Sequence, residues 1–277
     1  AGTPACRAAI DHLICGIPCS PTQSRELRLN TGRKCPLVNE DDDTAGFFVG
    51  NVQGRATEAG GTATVSLRLR TQPTADVVVP VVSSDLGEGT TDVASLTFTT
   101  ANWAAPQVVT VTGVDDAYDD GDITYPVVFG KATSSDAAYQ GADAADPSVT
   151  TVDDDTASLV ISGQSGARTN EGGGTVTFGV HLGARPTVNV TLPIVSSDTT
   201  EGTVSPASLT FTTDDWQTPQ TVTVTGQSDS LRDGAIAYNV SLGASASGDT
   251  PFANLTAQIA LHNDDDPLPG YVDYSIN

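Results

Sequence analysis

The sequence predicts an all-β protein: two tandem Greek-key β-sandwiches behind a small disulfide-stapled N-terminal head. Three observations carry this prediction. Landmarks in the first half of the chain return in the second at a fixed spacing. Apolar and polar residues alternate with a period of two through the repeated runs. All four cysteines lie in the first 35 residues of a 277-residue chain.

The repeat is the strongest of the three, because self-similarity at a fixed period reports the architecture directly. Ser83, Ser84 and Asp85 recur as Ser196, Ser197 and Asp198, and Trp103 recurs as Trp216. Ser95–Thr99 and Val109–Gly113 recur as Ser208–Thr212 and Val222–Gly226, Pro106 and Gln107 as Pro219 and Gln220. Glu58, Gly121 and Tyr125 map to Glu171, Gly234 and Tyr238, and every offset is 113 residues. A period this long means whole domains in series rather than solenoid turns. Asp triplets at 41–43, 153–155 and 264–266 stand before, between and after the repeats. They divide the chain into a head and linker over 1–43, a first sandwich over 44–155, a second over 156–266 and a tail over 267–277.

Within each repeat the pattern is that of strands. Thr62–Arg70 and Thr175–Leu182 alternate with period two, and β-branched runs continue through Leu96–Thr99 and Val109–Thr112, with Pro, Gly, Asp and Asn between them. About seven short strands in roughly 110 residues, with turn signals between, is the profile of a Greek-key sandwich. Trp103 and Trp216 are expected to pack near a sandwich edge, with ligand stacking as the rival role.

The cysteines Cys6, Cys15, Cys19 and Cys35 suggest two disulfides and an oxidising, extracellular setting, with three pairings open. A Cys₄ zinc site is the rival, but the spacing lacks paired C-x-x-C knuckles. Ala5–Cys15 has helical apolar spacing after Thr3 and Pro4, and Gly16 ends it. No stretch approaches the roughly 20 apolar residues of a membrane span. The chain starts at Ala and contains no Met, as a mature secreted or cell-surface product would after loss of a signal peptide.

Charge narrows the function. The formal net charge is -22, which excludes nucleic acid or an anionic membrane as partners drawn in by a general field. Only six of the 34 acidic residues are Glu. Asp prefers turns and caps where Glu prefers helices, so the acid sits in loops, for solubility, for salt adaptation or for a hard cation. No H-E-x-x-H, G-x-S-x-G, P-loop or dinucleotide fingerprint occurs. The three histidines His12, His181 and His262 sit in no metal-type spacing, and aromatics are 5% of the chain. A non-enzymatic protein is expected. Asn189, Asn239 and Asn254 head N-x-[ST] triplets, which matter only where secreted proteins are glycosylated.

The acids follow strand ends. Glu58 begins an early strand, Asp85 follows the third, Asp115, Asp116, Asp119 and Asp120 follow Val109–Gly113, and Asp153, Asp154 and Asp155 follow the last. Alternate strand ends share a pole of a sandwich, so these four groups should meet and repel one another unless a cation joins them. Calcium, with 6–8 oxygen ligands, suits such a gathering better than magnesium.

Glu58-Ala-Gly-Gly-Thr, then Asp85, then Asp115-Asp116 with further acids, then Val152-Asp153-Asp154-Asp155 resembles the Calx-beta domain family across about residues 44–266. The resemblance implies immunoglobulin-like sandwiches that bind Ca²⁺ at one end, beside the domain junction. It implies Glu58, Asp85, Asp115, Asp116, Asp119 or Asp120, and Asp153, Asp154 and Asp155 as ligands in the first domain. The second domain keeps Glu171, Asp198, Asp229, Asp233, Asp264, Asp265 and Asp266, but Ser228 replaces Asp115 and Arg232 replaces Asp119. A guanidinium cannot ligate a metal and would neutralise the remaining acids. A full site, with room for more than one ion, is therefore expected in the first domain, and a weaker, single or empty one in the second.

The tail residues Tyr271–Ile276 alternate and could add as a strand to a neighbour's open sheet edge. The expected function is that of an extracellular structural or adhesive protein, a filament subunit associating head to tail, with Ca²⁺ stiffening the domain junction. The alternative is a carbohydrate- or protein-binding module of a surface protein.

Overall fold

Alternation builds the first sandwich directly. The computed structural model describes residues 43–229 and 231–265, together with the backbone of β1 (Leu27–Arg28) and β2 (Lys34–Cys35), which pair antiparallel. The expected disulfides of Cys6, Cys15, Cys19 and Cys35, the helix over Ala5–Cys15 and the tail strand lie outside the described residues. The strands of the first unit are β3 (Phe47–Val49), β4 (Gln53–Thr57), β5 (Gly61–Leu69), β6 (Val77–Ser83), β7 (Gly89–Thr91) and β8 (Ser95–Phe98). They continue with β9 (Gln107–Gly113), β10 (Ile123–Phe129), β11 (Thr133–Ser134) and β12 (Ser148–Val152). β5 turns Ala63, Val65, Leu67 and Leu69 inward and leaves the residues between half-buried or exposed. β6, β9 and β10 do the same from their own sides.

Two sheets result. One runs β4-β5-β9-β7, with β3 also on β5, and the other runs β12-β10-β6 with β8 and β11 on β6. β4 belongs to both. Its first residues pair antiparallel with β5, and after a register shift Ala56 and Thr57 pair parallel with β12. That switch closes one side of the sandwich and delivers Glu58 to its end. Phe98, Phe129, Tyr139, Leu67 and Leu69 are fully buried between the sheets, each contributing about 1.5–3 kcal/mol by leaving water.

The second unit repeats the plan. β13 (Leu159–Ser162), β15 (Thr175–Leu182), β19 (Gln220–Gly226) and β17 (Gly202–Ser205) form one sheet in the order β13-β15-β19-β17. β14 (Arg168–Asn170), β21 (Ala257–Asp264), β20 (Ile236–Leu242), β16 (Val190–Ser196) and β18 (Ser208–Phe211) form the other in that order, with β14 parallel to β21. A 3₁₀ turn at Thr250–Phe252 buries Phe252. Each unit has its own buried apolar core. Trp103 and Trp216 are half-buried against those cores, and their carbonyls accept from Leu69 N–H and Leu182 N–H.

Most strands keep the 113-residue offset, but the last does not. Glu58 N–H donates to Val152 O, whereas Glu171 N–H donates to Asp264 O. Likewise Gly121 N–H reaches Asp153 while Gly234 N–H reaches Asp265. Asp153 therefore corresponds to Asp265, one residue later than matching the Asp triplets would place it. No helix among the described residues is long and apolar enough to cross a membrane.

Candidate metal centre

Strand direction settles which loops meet. β5 begins at the pole where β9 ends, since Thr62 pairs with Thr112, and β10 begins where β12 ends, since Ile123 pairs with Thr151. The β4–β5 turn, the β6–β7 turn, the β9–β10 loop and the segment after β12 consequently share one pole. A close backbone approach tightens it. A Cβ on Gly113 would strike the carbonyl oxygen of Thr57, and one on Gly226 would strike that of Asn170. Only glycine lets the end of β9 lie against the end of β4, which sets Glu58 beside the β9–β10 loop. Gly121 adopts φ 80, a left-handed turn that suits glycine, and offers its N–H to Asp153 at 2.7 Å.

Two carboxylate groups form there. Glu58, Glu88 and Asp120 each place a ligand oxygen within 4.8 Å of the others, and so do Glu58, Asp154 and Asp155. Oxygens bound to one Ca²⁺ at 2.3–2.6 Å lie up to about 5 Å apart, so each group fits a single ion, and Glu58 is common to both. Glu58 is only 3% exposed and Glu88 8%. Burial, then acidic neighbours led by Asp153, push the Glu58 carboxyl up to about 7 against a backbone hydrogen bond from Asp154 that lowers it. Burial raises Glu88 as well, reinforced by Asp120 and Asp85. Asp120 and Asp155 are raised by burial first and by neighbouring aspartates second. Two buried glutamates with exposed or half-buried aspartates around them, all with negative leading charged neighbours, form a hard-oxygen donor set short of positive charge, and that fits a divalent cation.

The remaining predicted ligands serve the frame. Asp85 accepts from Gly87 N–H at 3.0 Å and Asp116 from Tyr118 N–H at 2.8 Å, both shaping turns. Asp153 accepts from both Gly121 and Asp155 N–H. Asp115 is exposed and adds negative potential at Asp155. Asp119 leaves its own unit: its carboxylate accepts from Ala157 N–H at 2.7 Å, in the segment leading to the second sandwich. Next to it Arg185 N–H donates to Ala117 O at 2.6 Å, and the Arg185 guanidinium lies 5.3 Å from the Tyr118 ring centroid. The loop that carries Asp120 is thus the loop that meets the second unit, across a cleft of about 320 Å³.

Among the described residues the second unit holds one such group, Glu201, Asp229 and Asp233. Burial raises Glu201, but Asn263, 1% exposed, donates its side-chain amide to Glu201 at 3.3 Å and to Gln227 O at 2.9 Å. Asn263 stands where the first unit has Thr151, whose hydroxyl donates to Glu88 O and bonds the Tyr125 hydroxyl. The buried partner of Glu201 is therefore an uncharged amide, which stabilises the carboxylate by hydrogen bonding and leaves its charge in place, whereas Arg232 is exposed and forms no ion pair among the described residues. Glu171 is half-buried and accepts from Asp229 N–H at 3.5 Å. Asp198 closes a turn with Thr200, whose hydroxyl and N–H hold its carboxyl below the usual range.

Asp264 turns away from the acids and pairs with Arg168. The equivalent Arg55 pairs instead with Asp122, because Ala235 stands at the Asp122 position of the second unit and Asp264 at the Val152 position. Asp265 accepts from Gly234 N–H, and Asp266 lies outside the described residues.

Sequence reasoning missed Glu88, Glu201 and Asn263. The two glutamates were within reach, for they recur at the 113-residue offset. The four glutamates of the repeats are Glu58, Glu88, Glu171 and Glu201, two such pairs. Asn263 needs the strand register.

No protein-family model matches the chain, and no curated protein matches it in sequence. Among solved structures it is similar to the calcium binding domain CBD12 of CALX1.1, at 16% identity over 71% of this chain and 81% of that one, with a TM-score of 0.32. CBD12 from CALX1.2 follows at 13% identity, 72% and 83% coverage and a TM-score of 0.31. Domains 4 and 5 of the S-layer protein SbsC are similar at 14% identity, 80% and 96% coverage and a TM-score of 0.28. These likenesses are distant, and the chemistry of the site stands on its own carboxylates.

Proposed function

We propose that this chain is a non-enzymatic extracellular structural or adhesive protein, made of two immunoglobulin-like Greek-key sandwiches over 44–155 and 156–266, whose internal joint is stiffened by Ca²⁺. One observation carries the reading: the buried carboxylates of Glu58 and Glu88 converge with Asp120 on the loop that also meets the second unit. Glu58, Glu88, Asp120, Asp154 and Asp155 would hold the cation, with Glu201, Asp229 and Asp233 as a weaker second site. The ion supplies positive charge that cancels the repulsion between the β9–β10 loop and the segment after β12. The loop then keeps the position from which Asp119 and Ala117 grip Ala157 and Arg185. Secretion or display at the cell surface, and association of copies into a filament, belong to the same reading. The binding-module alternative wanted an exposed aromatic platform, and the half-buried placement of Trp103 and Trp216 does not favour one.

Calorimetric titration of Ca²⁺ into chelated protein tests the chemistry. Uptake of at least one ion per chain, weakened in Glu58→Gln, is the expected result. Absence of heat and of any ion bound at dialysis equilibrium would contradict it.

A further inference from the structure

The internal joint is built from two half-surfaces, and the chain owns each of them twice. On one side stands the β9–β10 loop, with Tyr118 beneath the Arg185 guanidinium. On the other stands the β15–β16 loop, where Arg185 Nε donates to Thr213 O at 3.0 Å and Thr187 N–H to Asp249 at 2.6 Å. A shift of 113 residues reproduces both halves at the outer poles of the two sandwiches. The β5–β6 loop carries Gln72 and Thr74 in place of Arg185 and Thr187, and keeps the same fastenings: Gln72 Nε2 donates to Thr100 O at 2.8 Å and Thr74 N–H to Asp136 at 2.7 Å. The β19–β20 loop carries Leu231 and Arg232 in place of Tyr118 and Asp119. Nothing among the described residues covers either half. Leu231 is 62% exposed, and Arg232, Gln72 and Thr74 are exposed too.

We infer that these outer halves dock on each other between copies: the Leu231 loop of one chain seats on the Gln72–Thr74 face of the next, as the Tyr118 loop seats on Arg185 and Thr187 within the chain. This rests on reading the chain as a self-associating structural protein, and it names the two surfaces that associate. Leu231 covers the aliphatic part of Gln72 where Tyr118 meets a guanidinium. The basic group changes sides. Inside the chain Arg185 stands on the facing surface beside Asp249, while Asp119 on the loop is engaged with the linker. At the outer joint Gln72 replaces that arginine, the loop brings Arg232, and the facing surface keeps an acid in Asp136, the counterpart of Asp249. The two halves are different surfaces on different sandwiches, so the contact is heterologous: copies add head to tail, as an open filament or, where the rotation closes, a ring, rather than pairing as a two-fold dimer.

Sedimentation of the full chain over a concentration series in calcium tests the inference. The wild type is expected to self-associate. Leu231→Arg and Arg232→Glu, both at exposed positions, should each weaken association about tenfold or more, while Val108→Arg, exposed on a sandwich flank, leaves it unchanged. A Gln72→Cys/Leu231→Cys double variant should give a ladder of cross-linked multimers above the wild-type background. Equal association of all variants would overturn these surfaces while leaving self-association standing. A wild type that binds calcium by calorimetry yet sediments as a monomer throughout would overturn the docking while leaving the calcium joint intact.

Discussion

At the residue scale, burial makes the clustered carboxylates reluctant to ionise. Glu58 has a folded-state pKa of about 7, above its ordinary value near 4.3. Between those values the folded chain holds a proton that the unfolded chain has released, so without metal stability falls as pH rises through that window. A bound cation reverses the sign, because it favours the ionised carboxylates. Thermal melts in chelator should therefore give a higher Tm at pH 5 than at pH 8, melts in calcium the opposite order, and Glu58→Gln should flatten the chelated profile. Asp136, Asp198 and Asp215, held low by hydrogen bonds, act in the other direction, and only below about pH 4. Glu88→Gln separates charge from shape. It should raise the Tm of the chelated protein by relieving repulsion, yet weaken calcium binding by about one to two orders of magnitude, since affinity follows ligand charge. Dye-monitored melting and calorimetry read the two effects separately.

At the element scale, strand ends and their glycines place the site. Gly113→Ala and Gly226→Ala each push a methyl into a neighbouring backbone, and each should destabilise its own sandwich by about 1–3 kcal/mol. Urea denaturation of chelated protein checks this. Only Gly113→Ala should also lower calcium affinity at the first site, since it displaces Glu58 from the β9–β10 loop. Much of this level was legible in the sequence. Alternation in Thr62–Arg70 and the recurrence of Val109–Gly113 as Val222–Gly226 mark strands that the structure contains almost residue for residue. The acids were legible as strand-end groups that share a pole, because that follows from alternating strand direction. What escaped was register. The Asp triplets invite an alignment of Asp153 with Asp264, but β21 is offset so that Asp264 occupies the Val152 position and Asn263 the Thr151 position. A one-residue slip reverses which face a side chain takes, and no local pattern announces it. Glu88 escaped for another reason: it lies in the turn before β7, outside every alternating run, and the 113-residue recurrence alone marks it.

At the scale of the whole molecule, the first carboxylate group and the joint between the sandwiches share one loop. The β9–β10 loop contributes Asp120 to the carboxylate group, Asp119 to the linker and Tyr118 to the second unit. Asp119→Ala should therefore loosen the joint while leaving calcium uptake nearly intact, because its carboxylate is engaged with Ala157 rather than grouped with Glu58. Small-angle scattering beside calorimetry would show that division. Whether the cation sets the joint is read by small-angle scattering of the wild type in calcium and after chelation, with Glu88→Gln as the comparison. Calcium should give a narrow distance distribution with a fixed maximum dimension, and chelation should broaden it, with Glu88→Gln resembling the chelated wild type at low calcium. Superimposable curves with and without calcium, under conditions where the ion is shown to bind, would contradict the claim that the cation sets the joint.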